Sequence, residues 1–557
     1  MLSKRLYSSP LLTHLKMKLS QLREVKSFLA SLDRPKQTQA AVLKRILALN
    51  ETSSFGRQHD FSSIASERDF RDRVPLHNYE DLRPYIERQI EGGAGERSPK
   101  PLLCLQTSGT TGKPKLIPVY RETLRSYRRC QSISSYAQYI SIKGILSGSV
   151  LAIVSPRVEG RLENGMPYGS MSGAIAQSLS KAVSSRGVLP EAIFEVPNYE
   201  DRYRLIAALA LSDANISAFA SANPSTFIRL GEVIWRHSES LLRFIETNDV
   251  AALGLQLPHK ESSAVLSAHK PSRARAAELR ELIRRHGRPT FSQLWPNLRG
   301  VATWTNGNCA LLIPALKKEL SSEVCITEMG YMASEFWGTI TMDPGLNGGS
   351  LTIQDNFYEF IEPHAWDSGI RETHLVSEIE EGKQYYIIVT TPEGLYRYFI
   401  NDIIEVTGSY RRTPTIKFVQ KGKGVTSLTG EKLYEGQVIQ AVQEACLGSK
   451  INIDHFVMLA DRQEMSYILY IECSYEIDII NFAEDVYAHL GKFNVEFGAK
   501  LESGRIRSAK VRRVAQGTFE SQKLMAISFG QREGQFKTIK LQYQDEVAFP
   551  FHEYVYG

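Results

Sequence analysis

Apolar positions recur along the chain with three successive periods. Over the first 50 residues the spacing is helical, with Leu11, Leu12, Leu15, Leu19 and Leu22 mostly three or four apart. That repeat places side chains on one face of an α-helix. Pro10 and Pro35 mark breaks, because proline is at home only in the first turn of a helix. An amphipathic first helix packed on the body is expected. The basic run Lys4, Arg5, Lys16, Lys18 and Arg23, which precedes the first acid, Glu24, also has the composition of an organelle transit peptide. A further helix is predicted over residues 79–92, with Leu82, Tyr85, Ile86 and Ile90 on one face and a start near Pro84. Short apolar runs then appear at 101–105, 149–154, 215–220, 300–304 and 324–327. Helical stretches fall at 121–141, 199–210, 227–249 and 273–286. Strands alternating with helices predict α/β layering around a mostly parallel sheet. Between 350 and 418 the period drops to two, as at 385–390, which predicts an antiparallel or barrel-like β region.

Lys421–Gly424 is rich in glycine and lysine and reads as a hinge. Beyond it come a helix at 435–446, strands at 456–459 and 467–473, and a helix at 477–490. The expected architecture is α/β. A large N-terminal domain, 1–419, carries mostly parallel sheets and a barrel-like β region at 348–419. A hinge at 420–426 leads to a smaller, mobile α+β domain at 427–557. The chain has no internal repeat.

Composition narrows the function without naming it. A net charge of +6 over 557 residues gives no reason to expect nucleic acid, and it suits an anionic small molecule. The six cysteines, at 104, 130, 309, 325, 446 and 473, form no CxxC pair. They argue for inert thiols in a reducing, cytoplasmic setting rather than for zinc or disulfides. No apolar run reaches the roughly 18 residues of a membrane span. The arginines of 121–129 and 273–288 read as solvated helix faces. A monomer or weak dimer is expected.

The chemistry concentrates first in Thr107-Ser108-Gly109-Thr110-Thr111-Gly112-Lys113-Pro114-Lys115. Glycines let backbone approach an anion, consecutive N–H groups form an anion-binding nest, and hydroxyls and lysines add donors and charge. A Walker loop needs G-x-x-x-x-G-K-[ST]. Here Thr107 stands at the first glycine and Pro114 follows Lys113, so kinase-type chemistry is disfavoured. A second motif, Gly330-Tyr331-Met332-Ala333-Ser334-Glu335, follows an apolar run. It therefore belongs on a strand-end loop, where α/β sheets gather ligands. The aromatic ring suits an adenine, and the single carboxylate suits Mg²⁺ shared with phosphates. A third, Tyr396-Arg397-Tyr398-Phe399-Ile400-Asn401-Asp402, offers a carboxylate whose two oxygens suit two ribose hydroxyls. Each of the last two, alone, is equally a set of surface residues.

Order and spacing join the three. The loop resembles the phosphate loop of the adenylate-forming superfamily, which includes acyl-CoA synthetases, luciferases and peptide-synthetase adenylation domains. The whole chain from about residue 33 resembles, more specifically, the Gretchen Hagen (auxin-responsive) family of acyl-acid amido synthetases. TSSFGR at 52–57, VPLHNYEDLRPYIER at 74–88, LIP at 116–118, LYRYFIND at 395–402 and GQFK at 534–537 carry that resemblance. The phosphate loop is one residue shorter than the usual plant form. Phe399 and Asn401 stand where the family has Arg and Gly, and the family's GQxKxPR becomes GQFKTIK. Asn tolerates left-handed backbone better than most residues, so the turn at 401 is expected to survive.

The resemblance implies an enzyme that uses ATP and Mg²⁺ to turn a carboxylic acid into acyl-AMP and passes the acyl group to an amine, an amino acid. It assigns Thr107, Ser108, Gly109, Thr110, Thr111, Gly112 and Lys115 to the phosphates, Tyr331 and Ser334 to the nucleotide, and Glu335 to Mg²⁺. Asp402 goes to the ribose and Lys537, on the mobile domain, to the α-phosphate and substrate carboxylate. Lys523 and Lys540 are alternatives to Lys537. Residues 303–309, TWTNGNC, are expected beside the acyl group, with Trp304 either its wall or an ordinary core aromatic. Two other readings share these motifs: an acyl-CoA ligase with a thiol acceptor, and a catalytically silent binding protein of the same fold.

Overall fold

The computed structural model describes residues 10–92, 100–107, 115–156, 158–178, 186–422, 424–426, 428, 431, 433–529, 536 and 538–556. The chain forms two compact units. One comprises Met1–Ile400 with Glu405–Lys417, the other Asn401–Ile404 with Phe418–Gly557.

In the large unit the four later apolar runs become strands Ser149–Ala152, Ile216–Ala220, Gly300–Thr303 and Cys325–Glu328. They lie side by side in chain order, all parallel. The two inner strands are buried on both faces, which is why they read as continuous apolar runs rather than alternating ones. Helices Tyr199–Ser212, Ser225–Arg236, Ser238–Thr247 and Arg273–His286 connect or cover them. The core between is aromatic. Phe219 lies 5.4 Å from Phe227 and 5.3 Å from Trp295. The Trp295 indole N–H donates to the Ala210 and Asp213 carbonyls, so its one polar atom is satisfied. A second sheet orders strands Lys115–Val119, Leu103–Thr107, Pro167–Gly169 and Gly160–Arg161. The third has seven strands and opens at Thr339–Ile340. It runs through Gly349–Leu351, Thr413–Lys421, Tyr398–Tyr410, Gln384–Thr390 and Phe357–Ile361 to His374–Leu375. The period-two pattern between 350 and 418 is this sheet.

The small unit carries a four-stranded sheet in the order Ser508–Arg513, Ser466–Glu472, His455–Asp461, Leu541–Tyr543, with helices Glu435–Ser449 and Ile479–Phe493. Val457, Leu459, Tyr470, Phe519 and Phe551 form one of its cores. Burial, with Lys540 and Lys523 nearby, pushes His455 down to about 3. The unfolded chain therefore binds a proton below about pH 6.5 that the native histidine refuses, and stability falls as pH drops from there toward 3. Urea unfolding of the full chain between pH 4.5 and 7 should show that slope, up to about 1.4 kcal/mol per pH unit from this group. The His455→Gln variant should show a shallower one.

Four expectations need correction. The helix predicted to start near Pro84 runs Tyr79–Glu91, because Asn78 and Asp81 form a capping box ahead of it. The single helix expected over 227–249 is two, broken at His237. The first helix, Pro10–Ser20, does lie on the body, with His14 Nδ1 3.1 Å from Tyr139 Oη and Ser20 Oγ 2.8 Å from Ser132 Oγ. Yet Leu15, Leu19 and Leu22 are exposed, and Met17, Ser20 and Val25 are buried instead; the side chains of Leu11 and Leu12 lie outside the described set. The contact is partly polar, so the leucine repeat does not track the buried face. Finally, Arg275 is not solvated, and Arg129 is only partly so. Arg275 is buried and donates to the Leu211 and Leu294 carbonyls, and Arg129 pairs with Asp355.

Candidate active site

The strands on either side of the glycine-threonine loop pair with each other. Strands Leu103–Thr107 and Lys115–Val119 are antiparallel, and Thr107 faces Lys115 across the last registered pair. Ser108, Gly109, Thr110, Thr111 and Gly112 lie outside the described residues, as does the Thr107 side chain. One buried phenol anchors the hairpin: Tyr79 Oη donates to Leu116 O at 2.8 Å and accepts from Leu116 N at 2.6 Å. Burial pushes that phenol well above its usual range, so it stays protonated and keeps donating.

Two residues earlier, His77 stitches the same segment to the Tyr-Arg motif. Its N–H donates to Arg397 O at 3.0 Å, Phe399 N donates to its carbonyl at 2.8 Å, and its Nδ1 lies 3.0 Å from Tyr396 O. Residues 77–79 thereby hold two of the sequence motifs in one frame.

The Gly330–Glu335 motif joins through a side chain. Lys115 Nζ donates to Tyr398 Oη at 3.0 Å, and Tyr398 Oη donates to Glu335 Oε1 at 3.2 Å. Lys115 also sits 5.7 Å from the ring centroids of both Tyr79 and Tyr398, within cation–π reach. Tyr398 and Glu335 are buried. Thus a residue from each motif, 115, 335 and 398, meets in one continuous relay.

The Gly330–Glu335 loop is held by its backbone. Gly330 has φ of 100°, and a Cβ there would meet Thr339 O at 2.5 Å, so only glycine fits. Tyr331 N donates to Thr339 Oγ1 at 2.8 Å, and its buried ring packs edge-on against Phe336. Ser334 is partly exposed beside Glu335. Trp304 is tied to this loop rather than lost in the core, its indole N–H donating to Gly330 O at 3.1 Å.

Asp402 is buried in the smaller unit. Next to it Asn401 adopts φ of 62°, the left-handed conformation expected of the residue replacing glycine, and its carbonyl accepts from Gly422 N at 2.8 Å. Lys537 lies outside the described residues. Of its alternatives, Lys540 is buried 5.0 Å from the Phe456 ring centroid, and Lys523 lies 3.9 Å from Glu520.

Several organising residues escaped the sequence reading. Arg397, itself at φ of 45°, is buried against the buried Glu359, with Nη2–Oε1 at 2.8 Å and Nε–Oε2 at 3.0 Å. It also donates to the Arg71 and Val74 carbonyls. An acid inside the apolar strand Phe357–Ile361 was the available signal, since a buried carboxylate requires a partner. Glu328, at the end of the fourth parallel strand, accepts from Thr305 N, Thr305 Oγ1, Asn306 Nδ2 and Gly330 N at 2.6–2.9 Å. It binds the 303–309 loop to the Gly330 turn. Phe399 stacks on Trp366 at 3.8 Å and 6°, with Arg371 3.8 Å from the Trp366 ring, so the ring that replaces the family's arginine is absorbed into an aromatic stack.

A parallel α/β core with ligand motifs at strand ends and a separate small α+β unit is the fold of an adenylate-forming enzyme. A 2-hydroxyisobutyryl-CoA ligase structure matches it with a TM-score of 0.53 at 14% identity, over 92% of this chain and 90% of that one. The match to a GH3.15 acyl acid amido synthetase structure has a TM-score of 0.82 at 21% identity, over 95% and 96% of the two chains. Residues 24–326, 349–421 and 436–546 match the N-terminal, central and C-terminal domains of the GH3 family; the chain belongs to the GH3 family. Similar proteins include the indole-3-acetic acid-amido synthetase GH3.15 of Arabidopsis thaliana, 26% identical over 90% of this chain and 90% of that protein. The 4-substituted benzoates-glutamate ligase GH3.12 of the same plant is 25% identical over 90% and 92%. The chain is thus an amide-forming ligase that works through an adenylate, and the thiol-acceptor and silent-scaffold readings give way.

Proposed function

We propose that this ligase joins a small carboxylic acid to an amino acid, and that the relay Lys115–Tyr398–Glu335 is the resting form of its MgATP site. The relay carries the reading. It holds a cation and a carboxylate together through one phenol, and triphosphate with Mg²⁺ would engage both. A lone carboxylate with neighbouring hydroxyls is too small a donor set for an all-protein cage and suits Mg²⁺, which prefers to share phosphates and water. When bound, that ion would neutralise phosphate charge. Thr107, Ser108, Gly109, Thr110, Thr111 and Gly112 would cradle the phosphates with Lys115. Tyr331 and Ser334 would flank the adenosine, and Asp402 would take the ribose hydroxyls.

A carboxylate is a poor electrophile because its leaving group is oxide. Its oxygen attacks the α-phosphorus, the bond to the bridging oxygen breaks and pyrophosphate leaves. The amine nitrogen then attacks the acyl carbon, AMP departs and the nitrogen releases a proton. Alignment and charge neutralisation are the enzyme's main contribution. The acid would lie beside residues 303–309, where Trp304 and Glu328 order the loop. Lys537 would reach the α-phosphate, and rotation about 420–426 would exchange the two half-reactions. The relatives' names, an amido synthetase and a glutamate ligase, support an amino acid acceptor, and six free cysteines support a reducing compartment such as the cytoplasm.

A pyrophosphate-release screen of carboxylic acids crossed with amino acids tests the reading. Release that depends on the acid, with an amide detected by mass, is expected; absence of acid-dependent exchange across a broad panel would refute it. Lys537→Ala should suppress acid-dependent pyrophosphate exchange at least 100-fold. Near-normal exchange would move the role to Lys540 or Lys523.

A further inference from the structure

An amphipathic helix normally buries its apolar stripe. The first helix, Pro10–Ser20, turns much of its own to solvent. Leu15, Leu19 and Leu22, spaced i, i+4 and i+7, are 47–57% exposed and share one helical face. The hold on the body is a partly polar seam instead, His14 to Tyr139 and Ser20 to Ser132, with Met17 buried. Those two pairs set the segment antiparallel to the Arg121–Ser141 helix. Charge around the stripe is one-sided. Lys18, Arg23 and Lys26 are exposed, and so is Arg128, one turn from Ser132 on the supporting helix. The single acid between residues 10 and 32 is Glu24, which accepts from Ser20 Oγ at 3.4 Å. The next acid, Asp33, pairs with Arg411. Long basic side chains beside exposed leucines can lay their stems on an apolar layer and keep their charge among headgroups. A second copy fits poorly, because a two-fold contact would set this cluster against its own like charge. Three leucines also fall far short of the roughly 800 Å² per side of a stable protein interface. The helix has 11 residues, about 16 Å, so it would lie on a bilayer rather than cross it.

We propose that this face is a peripheral membrane-docking surface. Leu15, Leu19 and Leu22 enter the interface of an anionic phospholipid bilayer, and Lys18, Arg23 and Lys26 meet its headgroups. The contact is reversible. Each basic residue near an anionic surface is worth about fivefold in binding, and the leucines add shallow apolar burial. None of these residues belongs to the proposed nucleotide site, so docking and adenylation are separable.

The test pellets the full chain with vesicles of phosphatidylcholine alone or with about one-third phosphatidylserine. At low salt the anionic vesicles should bind it about 100-fold more tightly, and about 0.5 M salt should remove most of the difference. Lys18→Gln with Arg23→Gln and Lys26→Gln should bring anionic binding close to the neutral level. Leu15→Ser with Leu19→Ser and Leu22→Ser should weaken it about 10-fold or more. All six side chains are exposed, so both variants should keep the parent's melting temperature and acid-dependent pyrophosphate exchange, which separates lost docking from lost folding. Equal affinity for the two kinds of vesicle, or affinity unmoved in either triple variant, would overturn the proposal. A dimer that the leucine variant abolishes, with no vesicle binding, would overturn it in favour of a self-association surface. Recovery from cells of a chain lacking this helix would overturn it too, by marking the segment as a removed leader.

Discussion

Glu335→Gln is expected to lower acid-dependent pyrophosphate exchange by about 100-fold to 1,000-fold while leaving the fold in place. The glutamine carbonyl keeps an acceptor for Tyr398, whose hydroxyl lies 3.2 Å from Glu335 Oε1, so packing and hydrogen bonding change little. The negative charge disappears, and with it the group that suits Mg²⁺ on the ATP phosphates. Preorganised charge in a water-poor site commonly carries such factors. The loss should appear as a raised Mg²⁺ requirement as well as a lower rate. Tyr398→Phe, which removes only the relay's central hydroxyl, should cost about 10-fold. Exchange within threefold of the parent enzyme at every Mg²⁺ concentration would show that Glu335 does not serve the nucleotide.

The second large effect is on stability. Arg397→Ala should cost about 3–5 kcal/mol, because it leaves the Glu359 carboxylate buried without its countercharge. Both side chains are only a few per cent exposed, at 5% and 1%. Arg397 also caps the Arg71 and Val74 carbonyls, so the strand that carries Tyr398 would lose its register with residues 74–78. Equilibrium urea unfolding measures the loss. The double variant Arg397→Met with Glu359→Met should recover much of it, since replacing a buried pair by apolar residues is often nearly neutral. A single variant as stable as the parent would mean that the ion pair is not what holds this strand.

Both departures from the family pattern near Tyr398 are accommodated locally. Phe399 stacks on Trp366, with Tyr386 5.0 Å away, and Asn401 takes the left-handed backbone that glycine usually supplies.

Some of this protein was decided by local order alone. The two inner parallel strands, Ile216–Ala220 and Gly300–Thr303, announced themselves as continuous apolar runs because both of their faces are covered. Helices Arg121–Ser141 and Arg273–His286 followed from side-chain period, and the proposal that residues 107–115 bind phosphate rests on their composition. These are properties of neighbouring residues, which a linear pattern records. Tertiary structure decided the rest. The Lys115–Tyr398–Glu335 relay spans hundreds of positions, and the Arg397–Glu359 pair and the four bonds on Glu328 depend on which strand ends meet. The exposed leucines of the first helix carry no local mark at all. Burial and partnership belong to the packed surface opposite a residue, and that surface is supplied by distant parts of the chain.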